Sequence, residues 1–131
     1  MGQPERPVML QIAPDKIAHV IIRAREYGSS IDAWADNGQR RQYGTRTELH
    51  DFIEGLNEDE QASLVAVMWI GRDSFDAEDL DEAIATARAE RTTPTEDYLM
   101  GDPQLADYLE AGMEALGLSP EAAEDELQKP V

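Results

Sequence analysis

From Leu64 to Gly71 the chain runs Leu-Val-Ala-Val-Met-Trp-Ile-Gly with no polar residue, in a sequence of 131 residues that carries 28 acidic side chains. The run is far short of the ~20 apolar residues that cross a bilayer. It is also apolar all round, whereas a surface helix has one apolar stripe. Such a segment needs neighbours on every side, so it reads as a central helix packed inside others. Asn57 and Glu60 form a capping-box pattern just ahead of it, and Gly71 supplies the stop. The central helix is therefore expected at about residues 58–70.

The remaining elements are read against this one. Residues 1–13 carry Pro4 and Pro7 and form an extended lead-in. Val8, Leu10 and Ile12 alternate there, but no second strand is visible to pair with them. Pro14 suits a first helical turn, and Ile17, Val20, Ile21 and Ala24 then repeat at helical spacing until Gly28. His19, Arg23 and Glu26 lie on the other face. Residues 28–46 show no apolar period and read as a long loop holding Ile31, Trp34 and Tyr43. Loops of that length inside compact domains are usually functional or disordered.

Thr45 and Glu48 make a second capping-box pattern before the stripe Leu49, Phe52, Ile53, Leu56. The helix so predicted meets the central one in a tight antiparallel corner. Asp76 is expected to cap a fourth helix built on Leu80, Ala83, Ile84 and Ala87, with Arg88 and Arg91 at its C-terminal end. Thr93-Pro94-Thr95-Glu96 starts a short helix, which Gly101-Asp102-Pro103 ends. Leu105, Tyr108, Leu109, Gly112 and Leu116 then line one face of a last helix.

The expectation is an all-α, single-domain bundle of five to six helices. It spans residues 14–117, with the 28–46 loop inside it and an acidic tail at 118–131. The first and last long helices are the expected neighbours of the central one. A chain of this length buries roughly 65–70% of its unfolded surface, so no disulfide or metal is needed to hold it.

Three segments resemble a known family. They are Leu64–Arg72, the step Tyr98-Leu99-Met100-Gly101-Asp102-Pro103, and the helix Tyr108-Leu109-Glu110-Ala111-Gly112. Together they are similar to a bacterial family of domains of unknown function, numbered 3775. Its members read as an apolar run ending in Trp-Ile-Gly-Arg, then a Tyr-Leu-Leu-Gly-x-Pro step and a Tyr-Leu-Glu-Glu-Gly helix. Ile12-Ala13-Pro14-Asp15-Lys16 also fits, with Ala13 where the resemblance leads one to expect serine. Asp73 stands where it leads one to expect glycine. The resemblance covers roughly residues 10–117 outside the loop. It implies a small helical domain with no assigned activity, so no catalytic residue is carried over.

Charge narrows the function classes. The net charge is −17, and it is unevenly spread. Residues 1–46 hold seven basic and five acidic side chains, and residues 47–131 hold four and twenty-three. A surface of this sign repels phosphate backbones and anionic lipid, which argues against direct nucleic-acid or membrane binding. A solvated acidic surface is the plain reading, and a basic partner is the functional one. With no cysteine, thiolate catalysis and cysteine-ligated zinc are excluded. Met1–Val8 lacks the layout of a signal peptide, so a cytoplasmic protein is expected.

Familiar catalytic and ligand-binding patterns are missing. The acids Asp73, Asp76, Glu78, Asp79, Asp81 and Glu82 fail the calcium-loop pattern, which wants glycine at its sixth position and glutamate at its twelfth. Glu78 and Ile84 stand there. His19 and His50 belong to no paired metal-ligand spacing; His50 has Asp51 and Glu54 beside it, but a surface histidine is the reading adopted, with no metal and no cofactor. There is no Gly-x-Ser-x-Gly elbow and no phosphate-binding glycine loop.

Two residue sets remain. Trp34, Arg40, Arg41, Tyr43 and Arg46 form a possible recognition patch on the 28–46 loop, since Trp, Tyr and Arg dominate binding hot spots. The alternative reading is a loop that simply folds back on the acidic body, its arginines neutralising local charge. Trp69, Arg72 and Tyr98 form the second set. Here Arg72 is either a half-buried cation paired with a carboxylate or stacked on Trp69, or part of a pocket for an anion or a carboxylate tail. The expected function is a non-catalytic interaction or regulatory module for a protein partner. A homodimer is its variant, joining the basic N-terminal part of one chain to the acidic part of another. The alternative is an anion-binding domain or small enzyme with its site near Trp69, Arg72 and Tyr98.

Overall fold

A computed structural model of the chain describes residues 10–32, 38–91, 93–120 and 122, with the side chains of 27–32 and 38–45 outside that description. Six α-helices make up its core: α1 (Pro14–Asp32), α2 (Gly38–Glu54), α3 (Glu58–Gly71), α4 (Leu80–Ala89), α5 (Thr95–Met100) and α6 (Leu105–Ala115). A single 3₁₀ turn, Ala77–Asp79, leads into α4. No strand occurs among the described residues.

Helix α3 is central for the reason its sequence gives. Residues Gln61–Met68 and Ile70 are all buried, because the helix is sandwiched between two apolar groups. On one side Ala62, Ala66 and Ile70 meet Leu80, Ala83 and Ile84 of α4. On the other, Leu64, Val65, Val67 and Met68 join Leu105, Leu109 and Met113 of α6, with Ile17, Val20 and Ile21 of α1 beyond. At ~1.5–3 kcal/mol for each large apolar side chain, this burial is the main favourable term.

The capping box forms as read. Asn57 Oδ1 accepts from the Glu60 backbone N–H at 2.7 Å, and Glu60 Oε1 accepts from the Asn57 N–H at 3.0 Å. Lys16 Nζ reaches Glu60 Oε2 at 2.5 Å. This ammonium, followed by the Asn57 N–H, holds the Glu60 carboxyl below its ordinary value of 4.5.

The far end of α3 differs from the expected glycine stop. Gly71 is the last helical residue, but the left-handed position belongs to Asp73, at φ 68°. Ser74 N–H donates to the Trp69 carbonyl (2.8 Å) and Asp73 N–H to that of Ile70 (3.1 Å), the paired bonds of a Schellman motif. Gly71 serves another purpose. A Cβ there would lie 1.8 Å from the Tyr108 carbonyl oxygen, and a Cβ on Gly112 would lie 2.1 Å from that of Val67. The two glycines let α3 and α6 cross backbone to backbone. That crossing, with α4 on the opposite side, fills the surroundings of α3.

Several expectations need correction. Helix α1 is not a flanking neighbour of α3: it packs mainly on α2 and α6. It meets α3 in the shared apolar cluster and through Lys16, and the lead-in reaches α3 where Gln11 N–H donates to the buried Ser63 Oγ at 3.0 Å. Nor do α2 and α3 form a tight antiparallel pair. They part at the corner, where Gln61 Nε2 donates to the Ile53 carbonyl at 3.0 Å, and α2 goes on to pack against α1 and α5.

The loop expected at 28–46 is largely helix, because α1 continues to Asp32 and α2 begins at Gly38. Thr45 and Glu48 therefore lie inside α2, beyond its first turn, and not at a helix start. The missing apolar period suggested a loop, yet Gln39, Arg40, Arg41 and Gln42 are good helix formers without one. Asp76 makes no side-chain cap, and Pro94 is the N-cap of α5 where the first helical position was expected.

Candidate recognition surface

Trp69 is the one residue of the apolar run from Leu64 to Ile70 that reaches solvent, and it is half-buried. Its indole Nε1–H donates to the Tyr98 hydroxyl at 2.9 Å, tying the end of α3 to α5. On another side Phe75 stacks on its ring, with centroids 5.6 Å apart and planes inclined by 20°. The Schellman turn brings Phe75 back to that position. Tyr98 is 40% exposed, the one large apolar side chain so exposed among the described residues.

Tyr98 is the ridge between two clefts. The first, of about 140 Å³, is lined by Val65, Trp69, Ala87, Glu90, Arg91, Thr93, Thr95 and Tyr98. The second, wider and about 380 Å³, is lined by Met68, Arg72, Tyr98, Gly101, Asp102 and Pro103. The three residues singled out from the sequence thus share one surface, but not one pocket. Trp69 belongs to the first cleft, Arg72 to the second and Tyr98 to both.

Arg72 is not half-buried, and no carboxylate among the described residues holds it. It is exposed, and its Nε donates to Ser74 Oγ at 3.2 Å inside the capping turn. The ring stacked on Trp69 is that of Phe75, so the expected ion pair or cation–π contact is replaced by a turn contact and an aromatic pair. Arg91, Thr93 and Thr95 were not anticipated as site residues. Arg91 had an adequate reading as a cation at a helix C-terminus, and only the fold carries it beside Trp69.

The other predicted set cannot be assembled in the same way. Trp34 lies outside the described residues. Arg40, Arg41 and Tyr43 belong to α2 by their backbone, with side chains outside the description, and Arg46 is exposed on the same helix. The six acids from Asp73 to Glu82 are all exposed, as a solvated face requires.

His19 is not a free surface residue. Its ring lies 4.2 Å from that of Phe52, between α1 and α2. Burial, and then the neighbouring Arg23 charge, lowers its pKa from 6.5. His50 faces carboxylates on both sides, with Asp51 Oδ1 3.4 Å from Nδ1, and Asp97 Oδ1 and Glu96 Oε2 at 3.8 and 3.9 Å from Nε2.

The architecture defines a small all-α domain with an aromatic ridge between two shallow clefts and no assembled catalytic set among the described residues. The chain belongs to the family described as protein of unknown function DUF3775, whose sequence profile matches residues 46–118, more than half its length. No curated protein and no solved structure matches it. The matched stretch takes in α3 to α6 and hence both clefts. Among the described residues no helix is long and apolar enough to cross a membrane.

Proposed function

We propose that this domain is a non-catalytic interaction module that receives a short segment of a protein partner across the Tyr98 ridge. The observation that carries the reading is where the positive charge falls. Residues 47–131 hold four basic side chains: Arg72, Arg88, Arg91 and Lys129. Lys129 lies outside the described residues, and Arg88 is paired with Asp59. The other two line the two clefts, one on each side of Tyr98.

Each cleft also carries one carboxylate, Glu90 or Asp102, so neither is a simple anion pocket. A cation, a carboxylate and an aromatic wall together suit the mixed polarity of a peptide better than a phosphate. The smaller cleft is close to the ~150 Å³ of an engineered cavity that takes benzene, so it has room for one aromatic or aliphatic side chain. Arginine and aromatic side chains are also those that most often carry binding energy.

The test is selection of peptides from a random displayed library by the purified domain. The expected result is enrichment of sequences with one large apolar residue beside charged ones, abolished by Tyr98→Ala and weakened by Arg72→Met and Arg91→Met. The reading fails if nothing is enriched. It also fails if enrichment survives Tyr98→Ala but is lost when Trp34, Arg40 and Arg41 are replaced by alanine.

A further inference from the structure

The cleft beside Trp69 is walled by polar groups that the fold leaves idle. Thr95 is only 5% exposed, yet among the described residues its hydroxyl makes no hydrogen bond. Buried polar side chains nearly always have a partner, and one left over in a cleft wall points to an acceptor brought from outside. The Tyr98 hydroxyl accepts from the Trp69 indole, and its own proton has no acceptor among the described residues. Arg91 is exposed and forms no ion pair among those residues, not even with Glu90 beside it in the chain. Two hydroxyl protons and a guanidinium thus line one space of about 140 Å³. All are donors, and a carboxylate accepts from each of them.

The remaining wall, Val65, Trp69 and Ala87, is apolar or aromatic. The space holds one side chain, so a single residue of the partner must answer both the donors and the apolar wall. An Asp or Glu side chain would satisfy the donors but set its charge against that wall. The last residue of a chain carries a carboxylate and an apolar side chain on the same Cα, and its amide N–H suits Glu90. Capture of a terminal carboxylate is a recurring mode of peptide recognition. The second cleft is less suited, because Arg72 Nε already donates to Ser74 Oγ.

We infer that the cleft between α3, α4 and α5 takes the C-terminal residue of a partner protein, an aliphatic or aromatic one, with its carboxylate on Arg91 and Thr95. This rests on the reading of the Tyr98 ridge as a peptide-recognition surface, and it says which end of the segment lies there.

Two displayed libraries test the inference apart from that reading. One ends in a free random C-terminus, and the other carries the same random stretch followed by a fixed linker. The expected result is enrichment from the first alone, with an apolar last residue. A peptide so selected, synthesised as the free acid, should lose about 10- to 100-fold in affinity as its amide. Arg91→Met should abolish that preference for acid over amide, and Thr95→Val should reduce it. Thr95→Ser and Arg72→Met should both keep it. Thr95→Val should cost no stability in urea, because the hydroxyl has no partner in the free protein to lose; exposed Arg91 supplies the test if it does. An internal library that enriches as well as the free one, or an amide that binds as well as the acid, overturns the terminal residue and leaves the ridge standing. An acid preference that survives Arg91→Met and vanishes with Arg72→Met overturns the cleft. Enrichment from neither library overturns both readings.

Discussion

Gly112→Ala is the substitution that most directly challenges the packing of α6 on α3. The new Cβ would meet the Val67 carbonyl oxygen at 2.1 Å and Val67 Cγ1 at 2.8 Å. Real Cβ contacts essentially never fall below 3.0 Å, so the helices must part by roughly 1 Å in a close-packed core. A radial gap of 0.5–1 Å forfeits about a quarter to a half of each dispersion contact it opens. Overpacking costs ~1–3 kcal/mol where a core can yield; the obstacle here is backbone, which points to the upper end. Replacing glycine by alanine inside a helix returns up to ~1 kcal/mol. The net expectation is a loss of about 2 kcal/mol, or roughly 6–10 °C in Tm for a chain of this size.

Urea unfolding followed by circular dichroism measures this loss, with Gly101→Ala as the control. The nearest atom to a Cβ on Gly101 is 3.4 Å away, so that variant should change stability by no more than ~0.5 kcal/mol. Adding Val67→Ala should not rescue Gly112→Ala, because it removes Cγ1 and leaves the carbonyl. If Gly112→Ala proves as stable as Gly101→Ala, the backbone crossing is wrong.

Three further outcomes are expected. Asp73→Gly should stabilise the protein by up to ~1 kcal/mol in the same assay, since φ 68° is strained for any residue with a Cβ. The urea midpoint should fall with acidification in two windows. His19 has a folded pKa below 6.5, so its neutral form is favoured in the native state, and stability declines as pH drops below about 6.5. The depressed Glu60 carboxyl adds a second decline below about 4.5. His19→Gln should remove the first and Lys16→Met should shrink the second. Finally, light scattering across salt concentrations tests the homodimer. Pairing of basic and acidic regions must tighten as salt is lowered, and a salt-independent monomer rules it out.

Much of the fold was legible because α3 has no polar face. An unbroken apolar run bounded by a two-way capping box leaves little choice of element or place. The limits of α1 and α2 were not legible, because Gly28 and the polar stretch after Gly38 look like punctuation while the helical backbone runs on to Asp32 and starts already at Gly38. The glycine crossing was equally hidden. Gly71 and Gly112 are 41 positions apart, and nothing local says that each is the notch for the other's helix.

The candidate surface was half legible. The odd residue of an apolar run, Trp69, pointed to it, and Tyr98 was named on sequence grounds. Arg91, Thr93, Thr95 and Phe75 join only through the turns at Asp73 and Pro94. Arg72 was assigned to a buried pair because it follows the apolar run, whereas the Schellman turn lifts it into solvent. The same kind of long-range approach sets His50 against Glu96, 46 residues away on a different helix.

The claim that recognition occurs across the Tyr98 ridge is tested most directly by nuclear magnetic resonance. A library-selected peptide is titrated into the ¹⁵N-labelled chain, and the Trp69 indole N–H, the donor to Tyr98, is the reporter. Binding at the ridge shifts that resonance together with the amides of Arg72, Arg91, Thr93 and Tyr98, and leaves those of residues 39–46 in place. Shifts confined to residues 34–46, with the Trp69 indole unmoved, contradict it.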